Sequence, residues 1–209
     1  MLIDGTIMNS DTLGNSNLAN LTHENSERIE SLRGDESMLW GAEAMGGVIN
    51  ITTKKGTGAP SASAFFEYGS VSSIREGGQA SGKTGPVDFS VALSRWDYTG
   101  FSAVNYRRGA SERDGFHNWQ TSARLGIALP HEGRLDFNFR LLQGRTNFDG
   151  GFGSVFDTLG AFPHSQQFVY RASYSQPITT WWNQAPTVTR QTHDPESSSG
   201  TTHPDRTTR

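Results

Sequence analysis

The sequence predicts a mainly β protein, in which a short mixed segment precedes a series of antiparallel strands. Only 33% of the 209 residues are hydrophobic, yet the chain holds 24 glycines, 12 phenylalanines, 5 tryptophans and 5 tyrosines. Few aliphatic and many aromatic residues, with frequent glycine, favour strands joined by tight turns. Long stretches that alternate apolar and polar residues, separated by glycine-containing turns, indicate the same class.

Composition also excludes several classes of function. The net charge of −3 gives no electrostatic basis for a nucleic-acid partner, and the absence of cysteine excludes disulfides and thiolate metal sites. The sequence has no run of 18 apolar residues, so we expect no transmembrane helix. Because Met1 leads directly into "LIDG", we also expect no signal peptide in this sequence. No enzyme motif is found, so we predict no catalytic residue, no cofactor-binding residue and no enzymatic activity.

The first predicted unit covers residues 1–56. "LIDG" at residues 2–5 is typical of a short strand and a turn. The asparagines and serines of residues 16–32 predict short helical or turn segments. "GGVINITTKK" at residues 46–55 predicts a β-branched strand that is entered through a flexible turn.

The second predicted unit, residues 57–183, contains about six strands with one apolar and one polar face. The apolar faces are Val87, Phe89, Val91 and Leu93; Ala123, Leu125, Ile127 and Leu129; Leu135, Phe137, Phe139 and Leu141; and Phe168, Tyr170, Ala172 and Tyr174. Arg124 and Arg140 lie mid-strand on the polar faces. Strands of roughly 9–13 residues suit a tilted transmembrane strand, but an antiparallel soluble sheet with one solvated face remains an alternative.

Connections between these strands predict an outer-membrane barrel. "GKTGP" and "HEG" are short, whereas the connections around residues 99–118 and 144–165 are long. Trp96, Tyr98, Phe101 and Trp119 near strand ends would form an interfacial aromatic belt. The third unit, residues 184–209, is polar and does not alternate, so we expect it to be disordered or the product of a shifted reading frame.

Residues 27–56 hold a motif with characteristic spacing, formed by Ile29, Glu30, Arg33, Gly34, Trp40, Gly41, Ala44, Gly46, Gly47, the Val48–Ile51 strand, Thr53, Lys54 and Lys55. This motif resembles the end of the plug domain of TonB-dependent outer-membrane receptors. Asp35 stands where the family usually has proline, and Trp40 replaces the usual tyrosine. The resemblance implies a plug remnant followed by antiparallel strands of an incomplete transmembrane β-barrel.

The plug motif predicts structural roles for its charged residues and glycines. Glu30 and Arg33 are three residues apart and would pair with each other or with the barrel wall. The alternative is a surface ion pair without a role. The glycines, above all Gly46 and Gly47, would let the backbone turn sharply into the following strand.

The barrel portion resembles the cobalamin receptor branch through "DGF" at 114–116, "GRTNFD" at 144–149 and "FDT" at 156–158. That resemblance implies that Asp114, Asp149 and Asp157 bind calcium in extracellular loops, a chemistry that suits carboxylates on loops. Ser102 stands near the position of a fourth aspartate of that branch. The alternative is that Asp149 and Asp157 are ordinary turn residues beside glycines.

The implied function is active uptake of a large, scarce ligand, with cobalamin first and an iron siderophore or haem second. The implied partners are the TonB energy-coupling protein and the lipid of a Gram-negative outer membrane. The alternative from another class is a soluble β-sandwich, in which Glu132 and Asp136 would be candidates for a glycosidase acid pair. Because about six strands cannot close a barrel, the chain is expected to be a fragment that forms no stable monomer in water.

Overall fold

The structure is a computed structural model that describes residues 1–8, 25–101, 113–146, 158–159, 162–198 and 201–202. Strands dominate these residues and form two main sheets, an N-terminal sheet and a long sheet. Within the described ranges, no helix has the length and apolar character needed to cross a membrane. The mainly β prediction is confirmed.

The N-terminal sheet has four strands in the order β2-β1-β4-β3. Their bounds are β1 Leu2–Ile3, β2 Thr6–Ile7, β3 Ser26–Arg33 and β4 Gly47–Thr53. β1 is parallel to β4, and β3 is antiparallel to it. A one-turn helix α1 (Ser37–Trp40) and a 3₁₀ turn (Ala42–Ala44) connect β3 to β4.

Two of the three predictions for this segment are confirmed, the strand and turn at residues 2–5 and the strand after the two glycines. Of the helical or turn segments predicted over residues 16–32, the turn holds at Asn25, and the prediction is wrong for residues 26–32, because Ser26–Arg33 is a strand. Its backbone pairs with β4 along nearly its whole length. Pairing with a neighbouring strand outweighs the weak local preference of serine and asparagine for turns and helix caps.

The long sheet is an antiparallel meander. Its main strands are β5 Ser61–Gly69, β6 Ser73–Thr84, β7 Val87–Tyr98, β8 Phe116–Ala128, β9 Arg134–Thr146, β11 Phe162–Pro177 and β13 Thr187–Ser198. Each pairs with the next in this order. The short strands β10 (Thr158–Leu159) and β14 (Thr201–Thr202) pair with each other, and β12 (Asn183–Gln184) pairs with β11.

The exposed face of the long sheet is apolar and its covered face is polar. On β7, Val91 and Leu93 are 39% and 45% exposed, whereas Ser90 and Ser94 are 2% and 6% exposed. The strand register extends this inversion to the neighbouring strands, in the outward rows Val91–Ala123–Phe139–Tyr170 and Leu93–Thr121–Leu141–Phe168. A soluble sheet buries its apolar face, whereas a sheet between lipid and a wet lumen exposes it. The inversion favours the membrane interpretation over the soluble sandwich.

The two ends of the long sheet differ in their connections, as expected. Residues 85–86 and 129–133 connect strands at one end, and residues 99–115 and 147–161 connect them at the other. The first connection at the latter end, residues 70–72, is short, and Val71 and Ser72 have positive φ there. The asymmetry therefore holds for the later hairpins and not for the first.

The predicted aromatic belt is only partly formed by the residues named for it. Trp119 lies on the outward face and is half-exposed, and Phe101 is exposed just after β7. Trp96 instead lies on the covered side, where its indole N–H donates to Ser73 Oγ at 3.2 Å and its ring packs edge-on against Phe116. Tyr98 shares that side, because strand residues two apart point the same way.

The segment 184–209 differs from its composition-based expectation over part of its length. Thr187–Ser198 forms β13, which pairs with β11 from Ser173 to Phe162. Most of its side chains that the structure describes are exposed, Val188 among them. Amino-acid composition indicates whether a segment can bury a core, and this segment cannot. β13 is instead held by main-chain hydrogen bonds to β11, and threonine-rich sequence is compatible with a strand.

A small apolar core joins the two sheets. Ile3, Met8 and Ile51 of the N-terminal part pack with Leu142 and Val169 on the covered face of the long sheet. Residues 54–60, here called the tether, run between Thr53 and Ser61 as the covalent link between the sheets. The tether is docked on the long sheet, since the Lys83 N–H donates to the Gly58 carbonyl at 2.8 Å.

Candidate functional site

The contact between the N-terminal sheet and the long sheet is called the seam. At its centre, Asn25 bridges two strands of the long sheet, because its Nδ2 donates to Ser122 Oγ at 2.8 Å and its Oδ1 accepts from Ser90 Oγ at 3.0 Å. At the first residue of the tether, Lys54 Nζ donates to Gln79 Oε1 at 3.0 Å. Polar side chains on both surfaces therefore hold the seam together, around the small apolar core.

Asp4 in the β1–β2 turn is the carboxylate that the N-terminal sheet presents at the seam. Its backbone is left-handed, with φ of 49°. Its carboxylate accepts from the Thr53 N–H at 2.9 Å and from Thr53 Oγ1 at 2.8 Å. Its Oδ1 lies 4.0 Å from Arg124 Nη1 on β8. Asp4 is thus fixed by β4 and directed towards the guanidinium groups of the long sheet.

On the long sheet, a chain of ion pairs continues from Arg124. Arg124 Nη2 contacts Asp136 Oδ1 at 3.0 Å, and Asp136 Oδ2 accepts from Arg134 Nε at 2.8 Å. Arg134 Nη1 also contacts Asp88 Oδ2 at 2.8 Å. These pairs cross three strands on the covered face, and in them each charge has an oppositely charged neighbour. Such pairing matters there because water is partly excluded from this face.

This arrangement does not suit the glycosidase alternative. Asp136 accepts hydrogen bonds from Arg124 and Arg134, so it lacks the apolar surroundings that keep a general acid protonated. Glu132 lies in the exposed turn between β8 and β9, with φ of 59°. The structure gives this pair no shared site.

The predicted ion pair between Glu30 and Arg33 does not form. Both residues are on β3, where side chains three positions apart point to opposite faces, whereas the prediction assumed helical spacing. Glu30 Oε2 instead accepts from Asn50 Nδ2 at 3.3 Å and lies 3.4 Å from Arg28 Nη2. Arg33 is exposed at the end of β3, opposite Gly47.

The glycines of the motif serve different purposes. Gly34, Gly41 and Gly47 have φ of 119°, 88° and 131°, in the region that disfavours other residues. Gly47 is also crowded, because a Cβ there would collide with the Leu32 carbonyl oxygen of β3. Gly46 has open space around it and no positive φ, so the structure gives no steric reason for a glycine there.

Asp35, the departure from the family pattern, organises the turn that follows β3. Its carboxylate accepts a hydrogen bond from the Ser37 hydroxyl and another, at 3.0 Å, from the Ser37 backbone N–H. The hydroxyl first, and the backbone N–H second, lower the pKa of Asp35 below its usual value. The side chain thereby fixes the start of α1, a role that a fixed proline φ would fill by other means.

Of the three predicted calcium ligands, the structure describes one. Asp114 lies just before β8, at the end of the sheet where the long connections are, and its carbonyl oxygen packs against Gly100. Asp149 and Asp157 lie outside the described residues. Within the described part of the chain, no group of three or more histidine and carboxylate side chains is placed to hold a metal ion.

Sequence reasoning noticed Arg124 and Arg140 as charged residues on polar strand faces, but it missed their partners. Asp4, which lies 4.0 Å from Arg124, is more than a hundred residues away from it in sequence, and no local pattern links positions that far apart. The available signal was that mid-strand arginines on a covered face require opposite charges nearby.

Comparisons with known proteins agree with this geometry. Residues 1–48 match the family model of the TonB-dependent Receptor Plug Domain. Over 169 residues the chain is 30% identical to the Vitamin B12 transporter BtuB of Photobacterium profundum, covering 79% of this chain and 26% of that protein. The chain thus spans about a quarter of the length of that curated relative.

Two solved structures have a similar fold. The siderophore receptor PiuA from Acinetobacter baumannii matches with a TM-score of 0.73 and 15% identity, over 94% of this chain and 29% of that one. The ferric-catecholate import receptor Fiu from E. coli K12 matches with a TM-score of 0.69 and 14% identity, over 94% of this chain and 32% of that one.

A long sheet with an apolar outer face, and a small sheet seated on its polar face, define the class of plugged β-barrel membrane proteins. Within this class, the plug-domain match and the similarity to a vitamin B12 transporter both point to TonB-dependent receptors. Residues 1–48 carry the plug-domain sequence of TonB-dependent receptors, the chain is similar in sequence to one vitamin B12 transporter, and its antiparallel strands have the fold of two siderophore receptors; together these matches fit a TonB-dependent receptor.

Proposed function

We propose that this protein acts in an outer-membrane receptor for the active uptake of a large, scarce ligand, and that this ligand is cobalamin. The observation that supports the receptor assignment best is the plug sheet seated on the polar face of an inverted sheet. The 30% identity to a vitamin B12 transporter favours cobalamin. Such a receptor binds, gates and releases its ligand without changing it chemically.

An iron siderophore is the second candidate ligand. The two solved structures with the same fold are named as siderophore and ferric-catecholate receptors. At 15% and 14% identity they support the fold alone and do not discriminate between ligands.

The proposed partners follow from the family. The TonB protein would supply energy by acting on the plug, and the lipid of a Gram-negative outer membrane would surround the apolar face. We also propose calcium as a structural ion of the extracellular loops, held by Asp114 together with Asp149 and Asp157. Carboxylate oxygens are the ligands that calcium prefers.

The test is uptake by the native organism with and without the gene. We expect deletion to abolish uptake of radiolabelled cobalamin and to leave uptake of ferric siderophores unchanged. An uncoupler that collapses the proton gradient should give the same loss in the wild type, because transport depends on energy coupling. Normal cobalamin uptake in the deletion strain, with lost siderophore uptake, would replace the first ligand with the second.

Calcium is tested separately in the same strains. Chelation of external calcium should weaken cobalamin uptake at low ligand concentration, and Asp114→Asn should weaken it in the presence of calcium. Ser102→Asn, a neutral change at the position that lacks the fourth aspartate, is the control. Uptake that is insensitive to both chelation and Asp114→Asn would contradict the calcium proposal and leave the receptor proposal intact.

A further inference from the structure

Three arginines on the covered face of the long sheet form what we call the arginine socket: Arg124 on β8, Arg140 on β9 and Arg171 on β11. Arg124 and Arg171 both lie opposite Asn138 in the strand register, and Arg140 is two residues further along β9. Arg140 is only 6% exposed. Among the described residues, no carboxylate lies within 4.0 Å of the Arg140 or Arg171 guanidinium. Buried cations without a nearby counter-charge are costly.

The turn that carries Asp4 is seated in this socket. Asp4 lines the same small cavity as Arg140 and Arg171, and its charge attracts that of Arg140. The next residue, Gly5, packs so closely that a Cβ there would lie 2.7 Å from Arg171 Nη1. The free volume of the cavity is about 20 Å³. That is room for about one water molecule, so no second organic anion fits while Asp4 is present.

Asp4 is the carboxylate available to the arginine socket, because the other nearby acidic groups already have partners. Asp136 is already shared by Arg124 and Arg134, and Asp88 is engaged with Arg134. Asp4 is held by Thr53 from its own sheet, which fixes the direction of the carboxylate without supplying any positive charge. The plug thus presents one negative charge, in a fixed position, to a socket that holds an excess of positive charge.

We propose that the arginine socket is a carboxylate-binding site whose resident occupant is the Asp4 side chain, and that it binds a small free carboxylate when that side chain is removed. Asp4 is accordingly a positioning residue that seats the plug sheet on the long sheet. Guanidinium groups recognise carboxylates through charge-assisted hydrogen bonds, directly or through one bridging water. This inference concerns the seat of the plug and does not depend on which ligand the receptor takes up.

The test uses chemical rescue in the full 209-residue chain refolded in detergent micelles. Asp4→Gly removes the carboxylate and suits the left-handed backbone at this position. Asp4→Asn removes only the charge. Asp35→Asn is the matched control, since it removes a plug carboxylate that is fully exposed and outside the socket. The readout is the rate of tryptic cleavage after Arg28, seven residues before Asp35, where pairing with β4 protects the backbone of β3 until the two strands separate.

We expect both Asp4 variants to be cleaved roughly tenfold faster than the wild type, and Asp35→Asn to be cleaved at the wild-type rate. Formate at ten times its dissociation constant should slow Asp4→Gly by roughly tenfold relative to the same concentration of chloride. Formate should not slow the double variant Asp4→Gly with Arg140→Gln, nor the wild type.

Three results would overturn the proposal. One is cleavage of Asp4→Asn at the wild-type rate, which decides the question even if Asp4→Gly fails to refold. Another is the absence of a formate effect on refolded Asp4→Gly. The third is equal slowing by formate in the presence and absence of Arg140, which would show that the anion acts elsewhere.

Discussion

The inverted long sheet makes a quantitative prediction about depth in the membrane. Val91 lies on the outward face of β7, in a row with Ala123, Phe139 and Tyr170. Two residues further, the outward row begins with Leu93, and the next begins with Arg95, which pairs with Asp97 and contacts Glu76. The outward face therefore changes from apolar to charged within about 14 Å of strand, at roughly 3.4 Å per residue.

Replacement of Val91 by arginine should cost about 2–4 kcal/mol of stability in lipid vesicles, the usual penalty for a cation near the bilayer midplane on a lipid-facing strand. Gln143→Arg is the matched control, because Gln143 is outward on β9 and shares the row of Arg95 and Trp119. There the same change should cost only about 0–1 kcal/mol, because the side chain reaches the headgroups.

The assay is urea unfolding of the chain in phosphatidylcholine vesicles, followed by tryptophan fluorescence. Val91→Arg should shift the midpoint to lower urea, and Gln143→Arg should leave it almost unchanged. Equal shifts for the two variants would refute the reasoning, since a soluble sheet has no depth dependence. The reasoning would also be refuted if the Val91→Arg variant were folded in buffer without lipid and as stable as the wild type, because the outward face would then not need lipid around it.

Three further predictions concern the plug sheet. Asn25→Ala should lower the free energy of unfolding in detergent by about 1–3 kcal/mol, because two buried serine hydroxyls lose their partner, and removal of those hydroxyls as well should recover much of the loss. Gly47→Ala should be destabilising by about 1–3 kcal/mol in the same assay, through its positive φ and the clash with β3, while Gly46→Ala should have little effect. The pKa of Asp35 should lie below the usual aspartate value of 3.8, because Ser37 donates two hydrogen bonds to the ionised carboxylate. The stabilisation from these hydrogen bonds is therefore present above pH 3.8 and is lost as the pH falls through the lowered pKa. An NMR titration that gives a midpoint at or above 3.8 would contradict this.

Much of the fold could be predicted from the sequence because its signals are local. The alternation of Val87 to Leu93 and of Leu135 to Leu141 is a property of single strands, and period-two patterns identify a strand without knowledge of its neighbours. The family motif at residues 27–56 likewise lies in one continuous stretch. The six main strands within residues 57–183 were therefore expected.

What could not be predicted depends on pairing between distant residues. β3 was expected to be helical or turn-like because its composition is ambiguous, and only its pairing with β4 decides the outcome. The same error led to the expected pair of Glu30 and Arg33, which requires helical spacing. β13 was missed because its side chains contribute little burial and its hydrogen bonds belong to β11. The seam was missed because its contacts, such as that of Asp4 with Arg124, join residues far apart in the chain.

The tether sets a mechanical limit on the plug sheet. All four strands of that sheet lie within residues 1–53, and all seven main strands of the long sheet begin at residue 61 or later, so within the described residues one covalent path joins them. The eight residue steps from Thr53 to Ser61, fully extended, span roughly 26–29 Å. A pulling force can therefore carry the end of β4 at most about that distance from the start of β5 while the tether is detached from β6. Beyond that distance, further travel requires the first strand of the long sheet or β4 itself to unzip.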